Sequence, residues 1–289
     1  PTPGMVVYYG SAAGLDTGAA TNVAAPDAMA GFGRMSASAG DVNGDGFDDV
    51  IIGAPYFDSG LLDAGRAFIF YGSSLGLGVE PNWTATGSQA LANLGLSVAG
   101  AGDVNGDGFD DVIVGAPLYD GSGVAFAFLG SASGVAHGTP ASAHAEFRSS
   151  QPGLGQPGSA MGSSVGSTGD LNGDGYDDVI VGAPFYDAGT TDEGAVFILR
   201  GSSFGIDQVN PLQASTRIEG NQLNAQFGNS VASAGDVNGD GYDDVVIGSA
   251  LFNAGQADEG AAWIYLGSPT GIPNGGPATA HAGFESNQT

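Results

Sequence analysis

Short apolar runs alternate with glycine-rich polar stretches along the whole chain. Runs that are rich in valine, isoleucine and aromatic residues predict buried β-strands, and the glycine, asparagine, aspartate and proline around them predict tight turns. No segment has the 3.6-residue period of an amphipathic helix. The pattern is clearest near the C-terminus, where four strands are predicted in succession, at 227–235, 244–249, 260–268 and 278–284.

The same order of strands recurs three more times, which predicts a repeat protein. Third strands are predicted at 66–71, 124–129 and 195–200, and fourth strands near Trp83, Phe147 and Ile218. Near the N-terminus, 5–11 matches a third strand and 20–25 a fourth, so the first unit is a half unit. We therefore expect eighteen strands, arranged as a half unit (1–31) and four complete units, 32–93, 94–160, 161–226 and 227–289.

Repeated units of four antiparallel strands predict an all-β protein, and a β-propeller is the usual arrangement that buries both faces of each small sheet. The chain is thus expected to be a single propeller or a propeller segment. The strands at the two ends of the array need partners. Three arrangements stay open: the N-terminal pair joins another chain, the protein has further repeats, or a ring of five blades closes with one blade half-built.

An acidic nonapeptide follows the first strand of every complete unit. It reads Asp-Val-Asn-Gly-Asp-Gly-Phe-Asp-Asp from Asp41 and again from Asp103, and it recurs with small changes from Asp170 and Asp236. Oxygen-bearing side chains at positions one, three and five, a glycine at position six and a carboxylate at position nine are typical of a calcium-binding loop. We call these segments loop one (41–49), loop two (103–111), loop three (170–178) and loop four (236–244).

The four loops predict about four bound Ca²⁺ ions, one for each complete unit. The expected ligands in each loop are the side chains at positions one, three, five and nine and the main-chain carbonyl at position seven. They are Asp41, Asn43, Asp45, Phe47 and Asp49; Asp103, Asn105, Asp107, Phe109 and Asp111; Asp170, Asn172, Asp174, Tyr176 and Asp178; and Asp236, Asn238, Asp240, Tyr242 and Asp244. The aspartate at position eight, Asp48 in loop one, is expected to point away from the metal.

The residues after each loop decide what kind of calcium loop it is. An EF-hand needs a bidentate glutamate at position twelve and a following helix. Position twelve is Ile52, Val114, Val181 or Ile247, always inside a β-branched run, so a loop bounded by strands is predicted instead. A solvated acidic hairpin is the simpler alternative, and four copies with the same positions filled argue against it. Mg²⁺ is disfavoured because it retains water and demands tighter octahedral geometry.

Composition narrows the classes of partner. The chain has 289 residues, 42% hydrophobic, with five arginines, no lysine and a net charge of −26, which argues against nucleic acid and anionic membrane surfaces as partners. The apolar runs have the length of strands, so no membrane insertion is expected. The chain has no cysteine, and redox compartment therefore cannot be inferred from disulfides.

The first complete unit resembles the FG-GAP repeat of integrin α-subunit propellers. It begins Phe32-Gly33, contains loop one and ends Gly53-Ala54-Pro55. The second and third units begin with Leu94-Gly95 and Met161-Gly162, and the fourth ends Gly248-Ser249-Ala250, which are changes of packing residue within the same pattern. The resemblance implies calcium between the first and second strands of a blade, seven blades in the complete ring, and a location outside the cell or on its surface. The high alanine and glycine content and the lack of cysteine are more similar to the composition of a bacterial secreted relative than to that of an animal integrin.

These features predict a non-catalytic, calcium-stabilised binding or adhesion scaffold, secreted or at the cell surface, with an unidentified protein or glycan as its ligand. Ligand recognition is expected at the end of the sheets opposite the calcium loops, in segments 56–65, 118–123, 185–194 and 251–260. Packing between blades is the alternative explanation for the aromatic residues there.

Two other functions stay open: a non-catalytic module of a larger secreted enzyme, and a structural subunit that self-associates by pairing strands between chains. The chain itself offers little for catalysis, since it has no lysine. Its three histidines, His137, His144 and His281, are expected to be exposed or satisfied by hydrogen bonds.

Overall fold

The computed structural model describes residues 4–12, 14–25, 30–149, 151 and 158–286, and its regular structure there consists of β-strands and three 3-10 turns. The N-terminal pair is β1 (Gly4–Ser11) and β2 (Gly14–Ala24). Four blades of four strands follow: β3 (Ser36–Gly40), β4 (Asp49–Ala54), β5 (Arg66–Phe70) and β6 (Trp83–Thr86); β7 (Ser97–Gly102), β8 (Asp111–Ala116), β9 (Val124–Phe128) and β10 (Ala145–Arg148); β11 (Ser164–Gly169), β12 (Asp178–Ala183), β13 (Ala195–Leu199) and β14 (Thr216–Glu219); β15 (Phe227–Gly235), β16 (Asp244–Ser249), β17 (Ala261–Tyr265) and β18 (Ala282–Glu285).

Each blade is an antiparallel meander in which every strand pairs with the next one along the chain. The first strands β3, β7, β11 and β15 contact one another in that order, so successive blades stand side by side. The prediction of an all-β protein built from propeller-type blades is therefore confirmed. The predicted hairpin at the N-terminus is also present, because β1 pairs with β2 alone among the described strands.

The start of the last strand, predicted over 278–284, was placed wrongly. Pro277 opens a 3-10 turn, Pro277–Thr279, and β18 starts only at Ala282. Proline fixes φ near −65° and has no amide hydrogen, so it favours the start of a turn over a place in the ladder. The same thing happens in blade two, where the turn Pro140–Ser142 precedes β10.

The second strand of a blade is buried on both faces, which explains its β-branched sequence. All six residues of β8 and of β12 are buried. Each blade packs its faces against its neighbours, as when the indole of Trp83 in blade one lies edge-on to Phe128 in blade two, with ring centroids 5.1 Å apart. The N-terminal hairpin covers the free face of blade one through Val23, packed in a cluster with Phe68 and Phe70.

Glycines mark the closest approach of neighbouring blades. A β-carbon on Gly53, at the end of β4, would lie 1.9 Å from the carbonyl oxygen of Gly95 in blade two. The corresponding distances are 2.0 Å for Gly115 and Gly162, and 2.1 Å for Gly182 and Gly228. Both glycines of the repeat thus meet across the joint between blades, where no side chain fits.

Candidate metal-binding loops

The four acidic loops connect the first and second strands of the four blades, as predicted. Loop one lies between β3 and β4, and the other three loops occupy the same place in their blades. Because the blades stand side by side in the same orientation, the loops form a row at one end of the sheets. The segments 56–65, 118–123, 185–194 and 251–260 follow the second strands and lie at the other end.

Each loop is wound around the side chains at its first, third and fifth positions. In loop two, Asp103 accepts hydrogen bonds from the amides of Gly106 (2.7 Å) and Asp107 (3.1 Å) on one oxygen and from Gly108 (2.8 Å) on the other. Asn105 accepts from the Asp107 amide at 2.9 Å, and Asp107 from the Phe109 amide at 3.1 Å. Carboxylate and amide oxygens that accept main-chain hydrogen bonds in this way are held within the turn.

The glycine at position six makes this winding possible. Gly46, Gly108, Gly175 and Gly241 have φ between +88° and +90°, a conformation that side chains with a β-carbon rarely adopt. In every loop the amide of this glycine donates to the position-one aspartate at 2.8 Å. The glycine is therefore required by the backbone of the loop itself.

The aspartate at position nine closes each loop and is the most deeply buried of the expected ligands. Asp49, Asp111, Asp178 and Asp244 are all essentially inaccessible to solvent. One oxygen of Asp111 accepts from the Val104 amide (2.9 Å) and the other from the Gly130 amide (2.8 Å), which ties the loop to the connection between the third and fourth strands. In loop three, Oδ2 of Asp178 is buried without a hydrogen-bond partner, although a carboxylate oxygen in such a place needs one.

Burial raises the pKa of three of the closing aspartates, Asp49, Asp111 and Asp178. The pKa is about 6 for Asp49 and about 7 for Asp111 and Asp178, and neighbouring carboxylates within each loop raise it further while main-chain hydrogen bonds oppose the change. The loops therefore hold several carboxylates together with one buried negative charge that the protein neutralises poorly. A bound cation would remove this cost.

The donor set suits a hard cation such as Ca²⁺, because all its donors are oxygens and its buried carboxylate lacks a counter-charge. Within the described residues, however, no three acidic or histidine side chains converge closely enough to form a ready-made metal cage. The loops are thus ordered by their own hydrogen bonds, and the ligand assignments stay predictions.

Position eight has a contact that sequence reasoning missed. Asp110, Asp177 and Asp243 point away from their own loops, as expected, but each one accepts a hydrogen bond from the main chain of the preceding loop. The signal was available in the sequence, since position eight is aspartate in all four copies although it was given no ligand role.

The aromatic residues at the opposite end of the blades mainly pack within their own blade. The guanidinium of Arg66 lies over the ring of Phe57, 3.9 Å from its centroid, and Tyr119, Tyr186 and Phe252 make edge-to-face contacts with aromatic residues of the core. Acidic residues there serve the loop as well: Glu193 accepts from the Ala188 amide at 2.7 Å. Packing explains most of these side chains, while Tyr56 keeps 37% of its surface exposed.

Two of the three histidines have structural contacts. His137 accepts a hydrogen bond from the amide of Thr84 in the neighbouring blade, at 3.2 Å. The ring of His144 lies against Gly205, where a β-carbon would approach it to 2.5 Å. His281 is exposed, and its amide donates to the Ile264 carbonyl.

No helix in the described part of the chain could cross a bilayer.

Comparison with protein families gives a decisive match. The model of the FG-GAP repeat matches residues 33–70, 94–129, 161–199 and 227–265, which is more than half of the chain. The chain belongs to the FG-GAP repeat family. Each matched FG-GAP segment runs from the start of a complete unit to the third strand of its blade, so the resemblance noted in the sequence is confirmed.

Integrin α-subunits are among the curated relatives of this FG-GAP chain. It is 34% identical over 202 residues to integrin alpha-5 of Xenopus laevis, an alignment covering 67% of this chain and 19% of the relative. It is 32% identical over 240 residues to integrin alpha pat-2 of Caenorhabditis elegans, covering 74% and 17%. It is 32% identical over 248 residues to integrin alpha-8 of Gallus gallus, covering 82% and 22%. The chain spans about a fifth of the length of these relatives.

Among solved structures, an exotype rhamnogalacturonan lyase, YesX, is similar with a TM-score of 0.42 and 12% sequence identity. The similarity covers 90% of this chain and 47% of the lyase. At this level of similarity, no activity follows for the FG-GAP chain.

Proposed function

We propose that this FG-GAP chain is a calcium-stabilised, non-catalytic scaffold for binding or adhesion, located outside the cell or on its surface. The observation that carries the proposal is the fourfold repetition of one loop in which oxygen donors surround a turn closed by a buried aspartate. The integrin relatives support the adhesive role and the location.

The residues at positions one, three, five, seven and nine of each loop would hold one Ca²⁺. The ion would supply the positive charge that the buried aspartates lack. With free Ca²⁺ at about 100 times Kd, each site adds ~2.7 kcal/mol to the free energy of unfolding. Four such sites together would add roughly 11 kcal/mol, which is comparable with the whole net stability of a typical domain.

The ligand is proposed to be a protein or a glycan bound by the loops at the end opposite the calcium row. The exposed side chains of Tyr56, Leu61 and Leu62 support a contact surface there, since they lie together on one connection of blade one and are not used by the core. Loops held by a rigid β-scaffold are the usual place for recognition.

Thermal unfolding in excess Ca²⁺ and in excess chelator tests the calcium part of the proposal. We expect a midpoint at least 10 °C higher in Ca²⁺, because a change of 1 kcal/mol shifts the midpoint of a domain of this size by about 2–4 °C. Mg²⁺ at the same concentration is the matched control and should give a smaller rise. Equal midpoints in all three solutions would contradict the proposal.

A second candidate, assembly between chains, is favoured by one observation. β1 pairs on one edge only among the described strands, and Val6 and Tyr8 on that strand are nearly half exposed. Light scattering on the same samples separates the candidates. A mass that stays at 28.4 kDa over a hundredfold range of concentration would count against assembly.

A further inference from the structure

Neighbouring acidic loops are joined directly through their main chains. In loop two, the side chain of Asp110 accepts a hydrogen bond from the amide of Asp41 at 2.7 Å, while the amide of Asp110 donates to the Asp41 carbonyl at 3.2 Å. Asp110 therefore holds both polar main-chain groups of Asp41, the first residue of loop one. Asp41 is also the residue whose side chain organises that loop.

The same pair of bonds occurs at every joint between consecutive loops. Asp177 accepts from the Asp103 amide at 2.9 Å and donates to its carbonyl at 3.1 Å. Asp243 does the same with Asp170, at 3.1 and 3.3 Å. In each case the contacted residue is position one of the preceding loop.

The residue before position one is shaped to admit this carboxylate. A β-carbon on Gly40 would lie 2.2 Å from Oδ2 of Asp110, and the corresponding distances are 2.1 Å for Gly102 and 2.0 Å for Gly169. Any side chain at these positions would displace the aspartate. The fit is therefore part of the repeat and not an accident of one loop.

The aromatic residue at position seven completes the contact. The ring of Phe109 covers Gly44 at position four of loop one, so closely that a β-carbon there would approach to 2.5 Å. Tyr176 and Tyr242 cover Gly106 and Gly173 in the same way, at 2.7 Å. Each loop is thus clamped by the two residues before the closing aspartate of the next loop.

The two end loops show what the clamp changes. The apolar side chain at position two is essentially inaccessible in loops one to three, but Val237 in loop four is 51% exposed. A β-carbon added to Gly235, just before loop four, or to Gly239 within it would meet nothing within 4 Å, because no described residue follows this loop as a clamp. At the other end, Asp48 of loop one is exposed and clamps no preceding loop among the described residues.

We propose that the aspartate at position eight is a positioning residue for the metal site of the preceding loop, not of its own. This inference rests on the proposed calcium binding. A Ca²⁺ site needs the position-one carboxylate held in one orientation, and the neighbouring aspartate fixes the main chain that carries it. Consecutive sites are thereby linked, since loops one, two and three are each completed by the loop that follows.

The test follows each site separately during a calcium titration. The amides of Gly46, Gly108, Gly175 and Gly241 each donate to the position-one aspartate of their own loop, so their ¹H–¹⁵N signals report the four sites one by one. The variant is Asp177→Ala, which removes the side-chain acceptor for the Asp103 amide in loop two and leaves the main-chain bond to the Asp103 carbonyl in place. The matched control is Asp48→Ala, the same substitution at the same loop position, where the aspartate clamps no loop among the described residues.

In Asp177→Ala we expect the Gly108 signal to titrate at a Ca²⁺ concentration about 10-fold or more above that of the wild type, because hydrogen bonds to charged groups contribute enough for such a change. The Gly175 signal, which reports the loop that carries the substitution, should keep its midpoint. Asp48→Ala should leave all four midpoints in place. Asp177→Asn keeps a hydrogen-bond acceptor and should restore most of the Gly108 affinity.

A shift confined to Gly175, or no shift at Gly108, would overturn the positioning role. A wild-type protein in which none of the four signals responds to Ca²⁺ would instead contradict the proposed function. If Asp177→Ala does not fold, Asp243→Ala makes the same test one joint along, with Gly175 as the signal expected to move and Gly241 as the one expected to stay.

Discussion

The carbonyl oxygen of Gly95 leaves no room for a side chain at Gly53, because a β-carbon added to Gly53 would lie only 1.9 Å from that oxygen. Gly53 is the last residue but one of the second strand of blade one, and Gly95 lies just before the first strand of blade two, so this contact sets how closely the two blades approach. The obstacle is a main-chain atom and cannot turn aside as a side chain could. One added methyl group must therefore push two blades apart.

Gly53→Ala should accordingly lower the free energy of unfolding by about 3 kcal/mol or more, at the upper end of overpacking costs. Gly248 is the matched control, because it has the same place in the corresponding strand of blade four and its β-carbon would meet only ordinary contacts, the nearest at 3.5 Å. Gly248→Ala should change stability by less than about 1 kcal/mol. Urea unfolding of both variants measures the difference, and equal losses would contradict the close contact.

Replacing Trp83, which lies between the same two blades, should also lower the free energy of unfolding strongly. Its side chain is fully buried, contacts Phe128 of the next blade edge-on and donates its indole hydrogen to the Ala136 carbonyl at 2.7 Å. Trp83→Ala should cost about 3–5 kcal/mol, as is usual for a large aromatic residue removed from a core. Leu75→Ala should be close to neutral, since Leu75 is almost entirely exposed. Chemical denaturation followed by circular dichroism reads both, and a loss below about 1 kcal/mol for Trp83→Ala would rule out this packing.

The strands and the loops could be predicted from the sequence because their signals are local. The β-branched run 244–249 and the small-residue strand 227–235 are found where they were expected, since turn residues bound them on both sides. The winding of each loop around position one also follows from its own nine residues.

Contacts between units could not be predicted in the same way. The clamp of Asp110 on Asp41 joins residues 69 positions apart, and nothing within either loop specifies the distance between blades. The sequence therefore predicted only that the aspartate at position eight points away from the metal, and not what it contacts. The aromatic residues of the opposite loops were ambiguous for a related reason, because burial of Tyr186 depends on Phe197 of another strand.

The pH dependence of the metal-free protein follows from the buried closing aspartates. Their pKa values of about 6 for Asp49 and about 7 for Asp111 and Asp178 lie above the ordinary 3.8, so the folded state holds more protons than the unfolded state between about pH 4 and 7. The stability that these groups contribute is fully present below about pH 4 and is lost as the pH rises through about 7. In chelator, the midpoint temperature of thermal unfolding should therefore fall as the pH is raised from about 5 to about 7.5.

In excess Ca²⁺ the trend should reverse, because protons compete with the ion for the same carboxylates and binding strengthens as they leave. Measuring midpoints at four or five pH values in both solutions gives the two slopes. If the protein in chelator became more stable as the pH was raised from about 5 to about 7.5, the assignment of these raised pKa values would be contradicted. Asp111→Asn, which removes one of the groups, should flatten the slope in chelator.

Replacing Asp178 by asparagine should have opposite effects on the stability of the metal-free and the metal-bound protein. One of its oxygens accepts from the Gly201 amide at 2.9 Å and the other is buried without a partner, so asparagine can keep the bond and remove the charge. In chelator at about pH 8, Asp178→Asn should unfold at or above the wild-type midpoint, because a poorly compensated buried charge is gone. In excess Ca²⁺ it should unfold several degrees below the wild type, because a charged ligand is lost. The exposed Asp207→Asn is the control for the change in net charge and should behave alike in both solutions. If Asp178→Asn had the same effect with and without Ca²⁺, this aspartate would not be a metal ligand.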